Sequence, residues 1–481
     1  MPFIYGTPWY VTMPAIDPSA KAAFDRSITE GPILKAVWKL AWPTMLQNML
    51  AGLQGIIDHT MVGHYVGYVG NAAIGVSWQI FLVVVVFITS LYTGMGVMVA
   101  RFAGANDVEK VKRVVYQALL TSFFLACVIL APLGYFLGPA LLDVVNAAPE
   151  VKAEALPYLR IMFVFSLGKL LFFMLGGALR SAGDARTPLR LGVALTLMNL
   201  VLNVVLIPGL GPVPALGTRG AAIGTVTAAL VTGVYGVIWL FRGRFVVRLS
   251  LRDIRWPDLQ VIRTLFRFGL PTGLQGVAVN AAGMIMLRFI GALPQSAEAQ
   301  AAYTVGYTEL FSLITWTSVG LMGATAAVAG QNLGAGKPER TIEAVRTAAR
   351  IGLLLAAFIG FWYFWQPVAF YAFFGLDDDP VVLAFGVTLL RFLAISALFI
   401  TLALVYTGGL QGTGDTRGPM VISIISQIVV PVGMCLIIEA VRDLRATDIW
   451  LAIVSGHFTR AVLSVWRFRQ GKWAKIKIEL H

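Results

Sequence analysis

Three ionisable residues stand in stretches that otherwise hold little but apolar side chains: Asp58, Lys169 and Glu309. A charge in such surroundings is costly enough to point to function. Asp58 lies fifteen residues after Pro43, and Asn203 lies fifteen after Pro188. Two helices rising from one side would carry both to a common height of ~22 Å. Asn199 and Asn203, four apart, share one helix face and offer amide oxygens beside the carboxylate; Thr225 is a further candidate. A carboxylate among neutral oxygen donors suits a proton, released when the site becomes wet, or a hard cation such as sodium. The structural alternative is a polar knot that only ties two helices together.

Lys169 lies eleven residues before Arg180 and so ~16 Å from the basic end of its helix. It reads either as a counter-ion or snorkelling side chain, or as a cavity charge that repels cationic cargo or responds to a proton. Glu309 lies ~14 Å deep in its run, as a buried structural acid or as a second titrating site. His59 points ~100° around the helix from Asp58, and His59 and His64 read as interfacial or packing residues. Cys127 and Cys435 sit in apolar runs and cannot build a disulfide framework or a metal cluster. No His-Glu-x-x-His, paired intramembrane acids or Ser/His/Asp set supports an enzyme. Gly330 to Lys337 is one residue too long for a phosphate-binding loop, and Pro338 follows its lysine.

The elements that must position these residues follow from composition. Of 481 residues 58% are hydrophobic and only 13% charged, against about 25% charged in soluble domains. Apolar runs of membrane-spanning length recur, and lipid leaves helices as the form that satisfies their backbone. Twelve spans are expected, at about 38–62, 73–98, 114–136, 157–179, 188–207, 220–241, 270–290, 300–327, 346–367, 384–406, 419–438 and 449–467. Lys and Arg concentrate in every second connection, from Arg101 to Arg113 through Arg242 to Arg267 to the tail, which puts those loops and both termini in the cytoplasm. The formal charge of +13 therefore belongs to membrane topology, with no nucleic-acid partner implied. The stretch from Met1 to Pro32 lacks the pattern of a secretory signal.

The chain also repeats itself. Pro43-Thr44-x-Leu46-Gln47 recurs in the second half as Pro271-Thr272-x-Leu274-Gln275. Gly183-Asp184-x-Arg186-x-Pro188 recurs, in nearly the same register, as Gly414-Asp415-x-Arg417-x-Pro419, a turn that ends one helix at glycine and starts the next near proline. Six spans per copy give parallel repeats about an axis along the membrane normal, an arrangement suited to a central cavity with alternating access. The expected division is a terminal segment 1–35, an N-lobe 36–241, a linker 242–267, a C-lobe 268–468 and a basic tail 469–481.

With these residues in view, the chain resembles the multidrug and toxic compound extrusion (MATE) family across nearly all of residues 36–468. The resemblance rests on Pro43 with Asp58-x-x-Met61-Val62-Gly63, Ala100-Arg101-x-x-Gly104, Arg180-x-x-Gly183-Asp184-x-Arg186-x-Pro188, Asn199-x-x-x-Asn203, Gly220-Ala221-Ala222-x-x-Thr225 and, most tellingly, Gln331 to Arg340. It implies a V-shaped, all-α pair of six-helix lobes in the cytoplasmic membrane, monomeric and without a cofactor. It also implies export of small organic, often cationic compounds in exchange for protons or sodium. Asp58 and the Asn pair match positions implicated in the family's N-lobe ion site. The helix-7 and helix-10 carboxylates of the NorM-like branch fall here on Asn280 and Ile400, so the chain looks more DinF-like. A flippase for lipid-linked saccharides shares the superfamily's architecture and is the alternative reading.

Overall fold

The computed structural model describes residues 24–376, 378–478 and 480. Residues 1–23 of the expected terminal segment, Asp377, and Glu479 and His481 of the expected tail lie outside the described residues. Among the described residues there is no strand, and twelve long helices follow one another: α1 (Ile33–Tyr65), α2 (Tyr68–Gly104), α3 (Val108–Val144), α4 in two segments (Pro149–Val164 and Leu167–Ser181), α5 (Arg186–Leu206), α6 (Gly217–Phe241), α7 (Leu259–Gly291), α8 (Ser296–Gly334), α9 (Pro338–Trp365), α10 (Pro380–Thr413), α11 (Arg417–Glu439) and α12 (Ala446–Arg469). Ten of them are individually long and apolar enough to cross a membrane, and the two segments of α4, bent by 48°, together make an eleventh span. The remaining helix, α1, has 33 residues and is ~50 Å long, but Gln47, Asn48, Gln54 and Asp58 make it less apolar.

The span expected at 157–179 is bent within α4. The backbone leaves helical geometry at Phe165 (φ −101°, ψ 22°). Just beyond, Gly168 lies against the backbone of Ala229 and Leu230 in α6, where no side chain would fit. Three other helices carry π-helical turns: Leu125–Leu130 in α3, Thr304–Leu310 in α8 and Ile425–Val429 in α11.

The repeated turns are built alike. Gly183 and Gly414 take φ of 104° and 99°, a region that disfavours any side chain. Each is followed by an Asp that caps the next helix: Asp184 accepts from the amides of Arg186 (3.1 Å) and Thr187 (3.0 Å), and Asp415 from that of Gly418 (3.1 Å).

The halves grip each other at one end. Gly104 of α2 lies against the Gln331 carbonyl of α8, and Gly334 of α8 lies against the Arg101 carbonyl of α2. These are one contact made twice, with the roles of the two halves exchanged, as an approximate two-fold axis requires. Gly94 and Gly269 bring α2 and α7 equally close, while Val37 and Leu40 of α1 share a buried cluster with Leu321 and Val328 of α8. The chain's ends cross over too: Arg101 donates to the Ile476 carbonyl (2.5 Å), and Arg340 to that of Gly31 (2.7 Å). All these approaches lie towards the end that carries the 242–258 connection. Further along the helices, Gly55, Gly75, Gly276 and Gly283 meet nothing within 4 Å, although Gly52 of α1 still lies against Trp316 of α8.

Candidate functional site

Asp58, Asn199, Asn203 and Thr225 come together inside the first lobe, where α1, α5 and α6 meet. Asn203 Nδ2 donates to Asp58 Oδ1 at 2.6 Å. With its oxygen turned to the Thr225 hydroxyl (3.2 Å), the Asn199 amide brings its nitrogen to 3.1 Å from the same Asp58 oxygen. Both asparagines and Thr225 are buried, while Asp58 is half-buried. The carboxylate therefore has one side fixed by donors and another that an ion can reach. Asn203 Oδ1 is buried and finds no partner, although a buried acceptor left unmade is costly. A carboxylate beside a spare amide oxygen is a donor set for a proton or for a hard, oxygen-seeking cation.

The surroundings are apolar. Val62, Ile74, Ile207 and Ala221 pack into one buried cluster with Tyr158 against it. Lys169, on the second segment of α4, places its ammonium 4.8 Å from the centre of the Phe81 ring and close enough to Asp58 for the two charges to interact. It thus belongs to the neighbourhood of the carboxylate. Gln54, one turn before Asp58, completes the polar group: its Oε1 is 3.5 Å from Thr196 Oγ1. Sequence reasoning missed it, although the four-residue spacing from Asp58 was there to read.

Glu309 stands apart. It lies in the π-helical turn of α8, half-buried where a fully buried acid was one expectation, and its backbone carbonyl accepts from Ser312 (2.5 Å). Asn280 turns its amide to the Gly276 carbonyl of its own helix (2.9 Å), and Ile400 is a core residue. His59 meets Asn71 (3.3 Å) and His64 packs edge-on against Tyr65, both in the last two turns of α1.

A second group in the C-lobe was not singled out by the sequence. His457 and Arg460 lie three apart on α12, both buried. The His457 ring runs parallel to Phe311 (centroids 5.7 Å apart) and Tyr307 (6.5 Å), and its Nδ1 is 2.5 Å from Ser396 Oγ of α10. Tyr303 continues the stack to Trp450. The signal was a histidine and an arginine at helical spacing in an otherwise apolar span.

The MatE family model matches residues 43–205 and 271–437, once in each half. A protein of Thermotoga maritima named a probable multidrug resistance protein NorM is 27% identical over 447 residues, covering 92% of this chain and 94% of that one. The multidrug resistance protein MdtK of Pectobacterium atrosepticum is 26% identical over 461 residues, covering 92% and 96%. Among solved structures, one described as the outward-facing conformation of a multidrug resistance MATE family transporter superimposes with a TM-score of 0.86 at 23% identity, over 96% of this chain and 100% of that one. With a match in each of its two halves, this chain belongs to the MatE family, whose members are membrane transporters and not enzymes.

Proposed function

We propose that the protein exports small organic compounds, cationic or amphipathic, in exchange for a proton or sodium ion held at Asp58 with Asn199, Asn203 and Thr225. The observation that carries this reading is the 2.6 Å contact from Asn203 to a half-buried intramembrane carboxylate. The names of the relatives in T. maritima and P. atrosepticum support multidrug cargo, and the absence of acids at Asn280 and Ile400 supports a DinF-like assignment with coupling in the N-lobe.

Helix α1 supplies a mechanical route. Its first half packs through Val37 and Leu40 against α8 of the other lobe, while its second half carries Asp58 against α5 and α6. An ion that binds one arrangement of α1 better than another shifts the balance between the two lobe arrangements by that difference in affinity. Asp58 and the spare Asn203 Oδ1 supply either a proton site or two oxygen ligands for sodium. Lys169 sets the local charge, and Glu309 is the second titrating group. The gripped end faces the cytoplasm, because the basic connections and both termini lie there, and a single chain contains both lobes.

The test is Asp58→Asn in proteoliposomes under imposed proton or sodium gradients. The variant inserts and folds, and gradient-driven drug transport falls to the level of empty liposomes. Transport near the native rate refutes the assignment, and the gradient that drives the unaltered protein identifies the ion.

A further inference from the structure

Arg460 is a permanent cation in the interior of the C-lobe. It is 5% exposed, and it stands nine residues before the end of α12, ~14 Å from that helix end. Among the described residues no carboxylate pairs with it. Asp448 of α12 is held by both terminal nitrogens of Arg442 (2.7 Å each), Asp415 by Arg467 (2.7 Å), and Glu439 ends α11. Glu309 follows Tyr307 by two residues and so lies on the other side of α8.

Hydrogen-bond donors are in excess at the same place. Arg460 Nε has no acceptor, and neither has the hydroxyl of Ser464, one turn further along the same face of α12. Both are buried. The Tyr307 ring lies close enough for its hydroxyl to interact with the Arg460 charge, and His457 sits one turn away in the other direction. An isolated buried cation costs far more than a paired one, and a hydroxyl and a guanidinium left without acceptors add to that cost. The helices on either side are locally unwound: the π-helical turn of α8 carries Tyr307, and that of α11 packs on α12, where the Ser426 carbonyl meets Gly456. Such turns recur at functional sites.

We infer that the C-lobe interior binds a compact monoanion at Arg460 and Ser464, beside Tyr307 and His457. A free halide or the carboxylate of an organic molecule has the required chemistry: one negative charge and acceptors for two or three donors. The site is independent of the cation site assigned to the N-lobe, since its residues come from α8 and α12 alone.

The experiment measures thermal unfolding of the purified full-length protein in lipid nanodiscs at constant ionic strength, with a bulky organic sulfonate replaced stepwise by chloride, bromide or acetate. Saturable stabilisation by the halides identifies a free-halide site, and stabilisation by acetate alone identifies a carboxylate site. Arg460→Gln abolishes the response, and Ser464→Ala weakens the apparent affinity by about tenfold, while Asp58→Asn leaves it unchanged. No anion dependence in the unaltered protein overturns the inference, as does an undiminished response in Arg460→Gln. If Arg460→Gln fails to fold, Arg460→Lys and Ser464→Ala decide: an undiminished affinity in both places the anion elsewhere.

Discussion

Both lobes set a basic side chain against the same repeat-related ring, Lys169 over Phe81 at 4.8 Å in the N-lobe and His457 over Phe311 at 5.7 Å in the C-lobe. Phe81 and Phe311 stand in the same repeat register as Gly104 and Gly334, the glycines of the paired contacts between α2 and α8. There the likeness ends. The N-lobe adds Asp58 and a set of amides, whereas the repeat register puts Met286, Val430, Met434 and Gly456 at the corresponding C-lobe positions. The C-lobe has instead gathered Arg460 and unmet donors with no acid. The two copies of one six-helix design differ in charge: an acid beside a lysine in the first, an arginine among unmet donors in the second. The repeat therefore specifies the scaffold and leaves the polarity of each interior to a few substitutions on it.

If the N-lobe group acts as an ion site and the C-lobe group does not, removing a ligand must act on one lobe alone. Asn203→Leu deletes a hydrogen bond that favours the charged carboxylate, worth about 1.5–3 kcal/mol, so the proton concentration that half-activates transport falls by roughly ten- to a hundredfold, whereas a sodium site that loses the Asn203 oxygen needs a higher sodium concentration. Folding is retained, because Leu also removes an oxygen that is already without a partner. Ion-dependent transport by the variant in proteoliposomes measures this; an unchanged ion dependence makes Asn203 a packing residue. Lys169→Met sharpens the same point for either ion. Losing a cation near Asp58 strengthens binding of a proton or sodium, and at an effective dielectric near 20 the half-activating concentration falls by about threefold to tenfold.

What the lobes share should respond alike. Gly183→Ala and Gly414→Ala force a side chain into positive φ and cost about 1–2 kcal/mol each. Thermal unfolding in detergent shows similar losses for both, with ion dependence untouched. A loss in only one would mean that the turns have diverged as the interiors have.

The pairing of Asp58 with Asn203 could be read from the chain because both follow a helix-starting or helix-embedded proline by the same fifteen residues. Spans could be read because lipid demands long apolar runs. The break in α4 could not, since nothing at Phe165-Ser166 signals it; it stands beside Gly168, which lies against the backbone of Leu230 in α6. Arg460 was overlooked for a different reason. Asp58, Lys169 and Glu309 were weighed and Arg460 was passed over; it lies only seven residues before Arg467 at the basic end of its span. The crossing of the termini, with Ile476 bonded to Arg101, depends on tertiary contacts between residues 375 apart, which no local pattern encodes.

Glu309 offers the finest test of how far the lobes differ. Its carboxylate lies in a π-helical turn on the side of α8 away from Tyr307, half-buried and remote in sequence from every member of the N-lobe group. If it is a second titrating group, Glu309→Gln displaces the pH dependence of transport while the maximal rate stays near native, a smaller change than any expected at Asn203 or Lys169. The measurement is drug export against pH in proteoliposomes, with Asp58→Asn as the uncoupled reference. A double variant separates the two sites: contributions from independent groups add, whereas groups on one proton path do not. An unaltered profile in Glu309→Gln with normal expression removes this residue from coupling, and the acid chemistry of the transporter then lies wholly in the N-lobe.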